Sequence, residues 1–311
     1  MMRTISKALA AAGLPDADPM PCPDSPKRFP DGGQYRFEIP STEGPSALQA
    51  VIEEARKLDV PVHRISQGSG AMMLPDDEIR RMCALGREHG IEVNLFVGPR
   101  ATFDVGAQAY TAGGRPIGLS LRGADQLRYS LMDVRRAADL GVRSILVSDL
   151  GCLQMIGKMR AAGDLPGNLV VKTSVMMAPG NPASARILEE LGANTINIAS
   201  DLSLPQVASI RAAINAVIDF YIEAPDNIGG FIRYYELPEL IRVAAPIYVK
   251  FGLRNSIDPY PSGGHLDNTV VLMQRERVRR ARIVCDLLAR NGQGLAISPL
   301  RSPDLGIPEE E

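Results

Sequence analysis

The chain has 311 residues, 45% of them apolar, with a formal charge of −2 and a pI near 6.0. That length and composition allow one large buried core, and the near-neutral charge supplies no field that would favour nucleic acid or an anionic membrane. No apolar run approaches the roughly 18 residues of a membrane-spanning helix, and the stretch around Arg3 and Lys7 lacks the continuous apolar core of a signal peptide, so a cytoplasmic protein is expected.

In chain order, residues 1–34 open with a short helical stretch. Over 15–34 they continue as a segment rich in Pro, Asp and Gly, expected to cross the lower end of the fold. From residue 35 onward, short apolar runs alternate with amphipathic stretches of ten or more residues, the rhythm of βα units. They predict strands at 36–40, 60–66, 91–97, 142–148, 169–175, 195–199, 217–223 and 247–251. Between them lie predicted helices at 46–58, 76–88, 126–140, 182–191 and 204–215. Gly90, Gly141 and Gly192 each stand between a helical pattern and a strand, where a helix stop is expected. Eight such units, with no GxGxxG turn after the first strand, predict a single-domain (β/α)8 TIM barrel over 35–296 rather than a doubly wound open sheet. Residues 99–124 form a glycine-rich loop long enough to serve as a lid or binding loop. Residues 297–311 are expected to be a flexible acidic tail.

Alternate residues of a barrel strand face inward. In the seventh strand Ile218, Phe220 and Ile222 form one face and Asp219, Tyr221 and Glu223 the other, so the polar set is assigned to the interior. The same parity turns Tyr248 and Lys250 inward, with Lys172 and Ser174, Glu92, Asn94 and Phe96, Asn197, and Glu38. Barrel enzymes keep their catalytic groups at the carboxyl ends of the strands, which singles out Glu223, Lys250 and Lys172. Glu223 is the candidate general acid or base. The two lysines are candidate electrophiles, or a Schiff-base nucleophile if burial depresses one of them. Asp219 and Glu92 lie deeper and are assigned structural roles. A plug of ion pairs, Lys250 with Glu223 for instance, is the competing reading of the same charges.

Arg64, Arg100 and Arg254 fall at or just past strand ends, where they can clamp a carboxylate or phosphate. Ser66 and Gln67 lead into "SQGSG", whose backbone N–H groups can approach an anion, and Asn94 and Asn197 add interior amides. Together they point to a small anionic substrate. Of three histidines, His63 falls within a strand and His89 at a helix end. His265, in a loop, is the one placed for proton transfer. A divalent cation held by Glu38, Asp149 and His265, with Glu223 near, stays open, although no ligand spacing marks it. The four cysteines, Cys22, Cys83, Cys152 and Cys285, are scattered without a CxxC pair. "QRERVRRARIV" places Arg275, Arg277, Arg279, Arg280 and Arg282 on the last helix, and its plainer reading is a solvated outer face rather than an RNA contact.

The stretch "NPASARILEELGANTINIASDLSLPQVASIR" and the following strand "AVIDFYIEAP" resemble the peptidase U32 family over about 181–255. The resemblance implies a barrel and favours hydrolysis. Other branches of that family hydroxylate RNA bases or quinone precursors and hold an iron–sulfur cluster through four cysteines, the first shortly after this strand. Here that region reads "DNIGGFIRYYELPEL", without a cysteine, so an iron–sulfur cluster is not expected. The expectation is therefore a U32-like barrel enzyme for a small anionic carbonyl- or amide-containing metabolite. A Schiff-base or metal-dependent lyase or aldolase stands as the first alternative, and a non-catalytic, RNA-binding accessory subunit as the second. A homo-oligomer stays open.

Overall fold

Apolar residues spaced by two give strands one face for the helices and leave the other face for the barrel interior. In the computed structural model, which describes residues 2–100, 109, 111, 114 and 118–310, that pattern closes a barrel of eight parallel strands in sequence order. The strands are β1 Tyr35–Pro40, β2 Arg64–Gln67, β3 Glu92–Phe96, β4 Ser144–Val147, β5 Val170–Thr173, β6 Thr195–Asn197, β7 Val217–Glu223 and β8 Ile247–Phe251. Closure is made by β1 on β8, where Phe37 pairs with Val249 and Glu38 with Lys250. The (β/α)8 barrel expected from eight units is thus the fold. Helix α1 (Met2–Ala11) precedes it. Outside the strands lie α2 Pro45–Leu58, α3 Asp76–His89, α4 Gly123–Asp139, α5 Leu150–Ala162, α6 Pro182–Glu190, α7 Leu204–Ala213, α8 Leu237–Ala244 and α9 Asp267–Asn291. Among the described residues no helix is long and apolar enough to cross a membrane.

The core is the cylinder between strands and helices, where Phe37, Ile65, Val93, Ile145, Val171, Ile196, Phe220 and Val249 are fully buried. Local chemistry sets where the helices start and stop. Asp149 caps α5 by accepting from Cys152 N–H, Asn181 caps α6 by accepting from Ser184 N–H, and Ser203 with Gln206 forms a capping box on α7. Gly90, at φ 68°, closes α3 in the left-handed region that favours glycine.

One predicted segment, the tail, differs from expectation. The tail is folded: Ser298 N–H donates to the Tyr35 carbonyl at 3.1 Å, Leu305 packs with Phe29 and Tyr248, and Glu309 pairs with Arg143 at 2.8 Å. The reason is electrostatic. Arg36, turned into the barrel's lower end and 1% exposed, needs anionic partners, and Asp304 of the tail and Asp31 of the amino-terminal segment each pair with it at 2.7 Å. Gly306 N–H also donates to buried Glu92 at 3.2 Å. Most of the 99–124 loop lies outside the described residues, but Ala109, Gly118 and Leu119 border the cavity described below.

Candidate active site

Parity brings three carboxylates and three cations into the middle of the barrel. Arg64 Nε lies 2.5 Å from Glu38, with its other nitrogens 3.4 Å from Glu92 and 3.7 Å from Asp219. Lys172 Nζ bonds to Glu38 and lies 2.7 Å from Asp219. Lys250 Nζ lies 3.4 Å from both carboxylates. All six side chains are at most 3% exposed. Charges match in number, which is how such a group survives out of water. Tyr248 stacks beneath Arg64, whose guanidinium carbon is 3.4 Å from the ring centre.

The environment splits the two lysines. Burial is the largest influence on Lys172 and, with repulsion from Lys250 and Arg64, outweighs Asp219 and Glu38 to bring its amine down to about 7. Burial alone would lower Lys250 as well, but Asp219, Glu38 and Tyr221 outweigh it and hold that ammonium above the usual lysine range. Glu38 is pushed up by burial and pulled further down by Arg64, Lys172 and Lys250, so it stays ionised. Lys172 is fully buried within this cluster, with Ser66 Oγ 3.0 Å from its nitrogen.

Above it, at the carboxyl ends of the strands, opens a cavity of about 650 Å³. Lys250, Asn197 and Tyr221 belong to its lining. Lys250 Nζ sits 4.1 Å from the centre of the Tyr221 ring. With the Asn197 amide turned so that both ends are satisfied, its oxygen accepts from Lys250 Nζ at 2.9 Å and its nitrogen donates to the Asp219 carbonyl at 3.3 Å. Phe96, Leu146 and Ser174 add wall, and the strand-eight loop contributes Asp258 and Tyr260. Tyr260 Oη is 2.6 Å from Ser41 Oγ. The cavity thus offers a protonated amine and an amide beside two phenols, in a recess walled mostly by apolar surface and of a size for small molecules.

Several predicted site residues are placed elsewhere. Glu223 is buried but does not line the cavity. A bulge between Tyr221 and Glu223 shifts the register, so that Glu223 pairs with Phe251 rather than following Tyr221 inward. Its carboxylate accepts from Tyr234 Oη and from Arg254 N–H at 2.8 Å, and among the described residues no ion pair joins it to Lys250. Arg64 belongs to the ion cluster. Arg254 is exposed and 3.7 Å from Asp226. Of the three arginines expected as clamps, only Arg100 lines the cavity. It is 4% exposed and lies 4.2 Å over the Phe96 ring, and burial lowers it to about 10.

The "SQGSG" loop serves its own fold. Gly68 and Ser69 N–H groups donate to Glu43 at 2.8 and 2.9 Å, and Gln67 staples Gly70 through both ends of its amide. Ser66 donates to Glu38, and Asn94 donates to Ser144 at 2.7 Å below the cavity. The expected metal set does not converge: Glu38 is inside the ion cluster, Asp149 caps α5, and His265 is exposed on its loop. Among the described residues no group of three His, Cys, Asp or Glu side chains could hold a metal ion. His63 is a satisfied core residue, accepting from Phe37 N–H at 3.1 Å and donating to the Ser298 carbonyl at 2.9 Å. Asp219, assigned a structural role, pairs directly with Lys250.

The residue that sequence reasoning missed is Arg277. The arginine run reads as a solvated face, yet Arg277 is 2% exposed and lines the cavity. The signal was available: Val270, Gln274, Val278, Ala281 and Val284 make the buried stripe of α9, and Arg277 falls on it. Its neighbours in the run are paired on the outside, Arg275 with Glu53 and Glu54, Arg279 and Arg280 with Glu276, and Arg282 with Asp286.

Fold and cavity define a (β/α)8 barrel with a cationic pocket at the carboxyl ends of its strands. Peptidase family U32 matches residues 121–224, about a third of the chain, which bears out the family resemblance seen around the sixth and seventh strands. Among solved structures, the U32 peptidase Mk0906 is 17% identical, with a TM-score of 0.42 over 77% of this chain and 86% of that one. A truncated 3-deoxy-D-arabino-heptulosonate 7-phosphate synthase from Thermotoga maritima is 15% identical, with a TM-score of 0.43 over 86% and 94%. Both likenesses are of fold. No curated protein sequence matches the chain.

Proposed function

We propose that this barrel is an enzyme that hydrolyses a small, anionic, carbonyl- or amide-containing molecule bound in the cavity at the carboxyl ends of the strands. The observation that carries the reading is Lys250. Its ammonium is held protonated by Asp219 and Glu38, lines a 650 Å³ recess, and has the Asn197 amide beside it. A fixed positive charge in a water-poor site stabilises the oxyanion that develops when a carbonyl is attacked. Arg100 favours the negative charge of the substrate. Asp226 and Asp258 border the same cavity and are the carboxylates within it that can take a proton from water. The U32 resemblance over 121–224 supports hydrolysis as the reaction class.

One observation favours a Schiff-base lyase instead, the Lys172 amine lowered to about 7. That lysine is fully buried and does not line the cavity, whereas Lys250, which does, is held protonated and so is a poor nucleophile.

The test pairs two measurements. Turnover is screened on short acidic peptides and N-acyl amino acids with wild type and Lys250→Met, whose kcat is expected to fall on the order of 100- to 1,000-fold. Borohydride is added during incubation with small oxo acids, and intact mass is read. Unchanged kcat in Lys250→Met would remove Lys250 from the mechanism, and a stable mass increment on Lys172 or Lys250 would replace hydrolysis by lyase chemistry.

A further inference from the structure

Among the charged residues bordering the cavity, Arg277 differs from the rest in having no visible reason to be buried. Lys250 is neutralised by the ion cluster beneath the cavity, where Glu38, Glu92 and Asp219 balance Arg64, Lys172 and Lys250 itself. Arg100 bonds to the Gly68 carbonyl and stacks on Phe96. Arg277 has neither kind of satisfaction: at 2% exposure its Nε and Nη1 find no hydrogen-bond partner among the described residues. Glu43, Glu223, Tyr221 and Tyr260 are within electrostatic reach, but Glu43 is committed to the Gly68 and Ser69 N–H groups and Glu223 to Tyr234 and Arg254. A buried guanidinium with two unpaired nitrogens is costly against leaving it in water. Helix α9 could bury an aliphatic residue at this place in its apolar stripe and avoid that cost.

The conflict disappears if the partner comes from outside. Arg277 lines the same cavity as Lys250 and Tyr221, and its unused N–H groups are the donors that recognise a carboxylate or phosphate. We infer that Arg277 anchors the anionic group of the bound molecule, a carboxylate or a phosphate, and so sets which molecules reach Lys250. The inference rests on the reading of this cavity as the binding site, but it does not require the bound molecule to be hydrolysed. Arg277 is a binding and specificity residue here, and the reacting centre stays with Lys250.

The experiment is thermal denaturation of the full chain, titrated separately with inorganic phosphate, acetate and succinate at constant ionic strength set by chloride. Wild type, Arg277→Met and Arg277→Lys are compared. A ligand that binds only the folded state raises Tm with its concentration. Wild type is expected to show a saturable rise with the carboxylates or with phosphate, and the responding series names the anchored group. In Arg277→Met apparent affinity should fall by about thirtyfold or more, the loss that follows truncating one partner of a buried charged contact. Arg277→Lys should retain part of the response. Without added anions, Arg277→Met should melt at or above the wild-type temperature, since it removes an unsatisfied charge; an arginine kept for stability would give the opposite.

No response in wild type to any of the three anions, an equal response in Arg277→Met, or a large fall in the anion-free Tm of that variant overturns the inference. None of these outcomes touches the oxyanion role of Lys250. Conversely, an anion response that depends on Arg277, in a protein that turns over no amide or ester, would keep the anchor and remove the hydrolase.

Discussion

Asp219→Asn is the sharpest perturbation of the ion cluster, because it removes one charge while leaving volume and strand geometry almost unchanged. Asp219 is fully buried, with Lys172 Nζ at 2.7 Å, Lys250 Nζ at 3.4 Å and Arg64 Nη2 at 3.7 Å. At an effective dielectric of about 20 each attraction is worth roughly 5 kcal/mol, most of it offset by the water the carboxylate gave up on burial. What remains after losing one partner of a buried pair is about 3–5 kcal/mol. The substitution leaves three cations facing two carboxylates, so the loss should fall in that range. For a chain this long, unfolding entropy of about 2.1 cal/mol/K per residue converts it to a Tm lower by roughly 5–8 °C. Melting followed by circular dichroism measures it. The double variant Asp219→Asn/Lys172→Met restores the balance and should melt above the single Asp219→Asn, a coupling readable in a double-mutant cycle. Function responds too: Asp219 is the main attraction holding Lys250 protonated, so its loss should move the alkaline limb of kcat/KM to lower pH. A Tm within about 1 °C of wild type, or strictly additive effects in the cycle, would refute the cluster as the interior's organising feature.

His63 supplies a pH dependence of definite sign. Burial lowers its pKa from 6.5 to about 4, so the folded state binds fewer protons than the unfolded one between those values, and stability falls as pH drops through that window. The loss by pH 4 is about 3 kcal/mol, and urea unfolding at pH 7, 5 and 4 should show it in wild type and show a flatter profile in His63→Gln. Gly68→Ala tests the cavity wall. A Cβ there would lie 2.4–2.8 Å from the Tyr260 ring, which must shift and give up its contact with Ser41. KM should rise several-fold with little change in Tm; an unaltered KM would detach Tyr260 from binding. Glu223→Gln separates the structural position from the expected catalytic one. The bonds to Tyr234 and Arg254 N–H weaken, so Tm should fall while kcat stays within about tenfold, and a loss on the order of 100-fold or more would return Glu223 to the chemistry.

The pattern of success and failure in the sequence has one physical origin. Strand existence and interior parity were legible because a residue's face is a local property, set by a period of two. That is why Glu38, Lys172, Asp219 and Lys250 could be assigned inward, and why the cluster they form follows directly. Bounds were less legible: the predicted second strand began at 60, whereas β2 begins at Arg64, because Val60 and Val62 pack in the core without pairing in the sheet. Glu223 was misassigned because parity survives only while the ladder is regular, and the Tyr221/Glu223 bulge is a property of the β7–β8 pair rather than of either segment. The tail was misread for a related reason. Its acidic residues look solvated until Arg36, 268 positions earlier, is seen to need Asp304.

Arg277 is the instructive case, since its helical stripe was readable but its run of neighbouring arginines argued for solvent. Five of those arginines share a helix, and four find carboxylates on the outer surface. The fifth is committed by a 3.6-residue period to the inner face, where α9 passes the mouth of the barrel. A charged residue on an apolar stripe is a local conflict, and natural sequences concentrate such conflicts where function requires them. In this chain the periodicity breaks at one arginine, and that arginine borders the same cavity as Lys250.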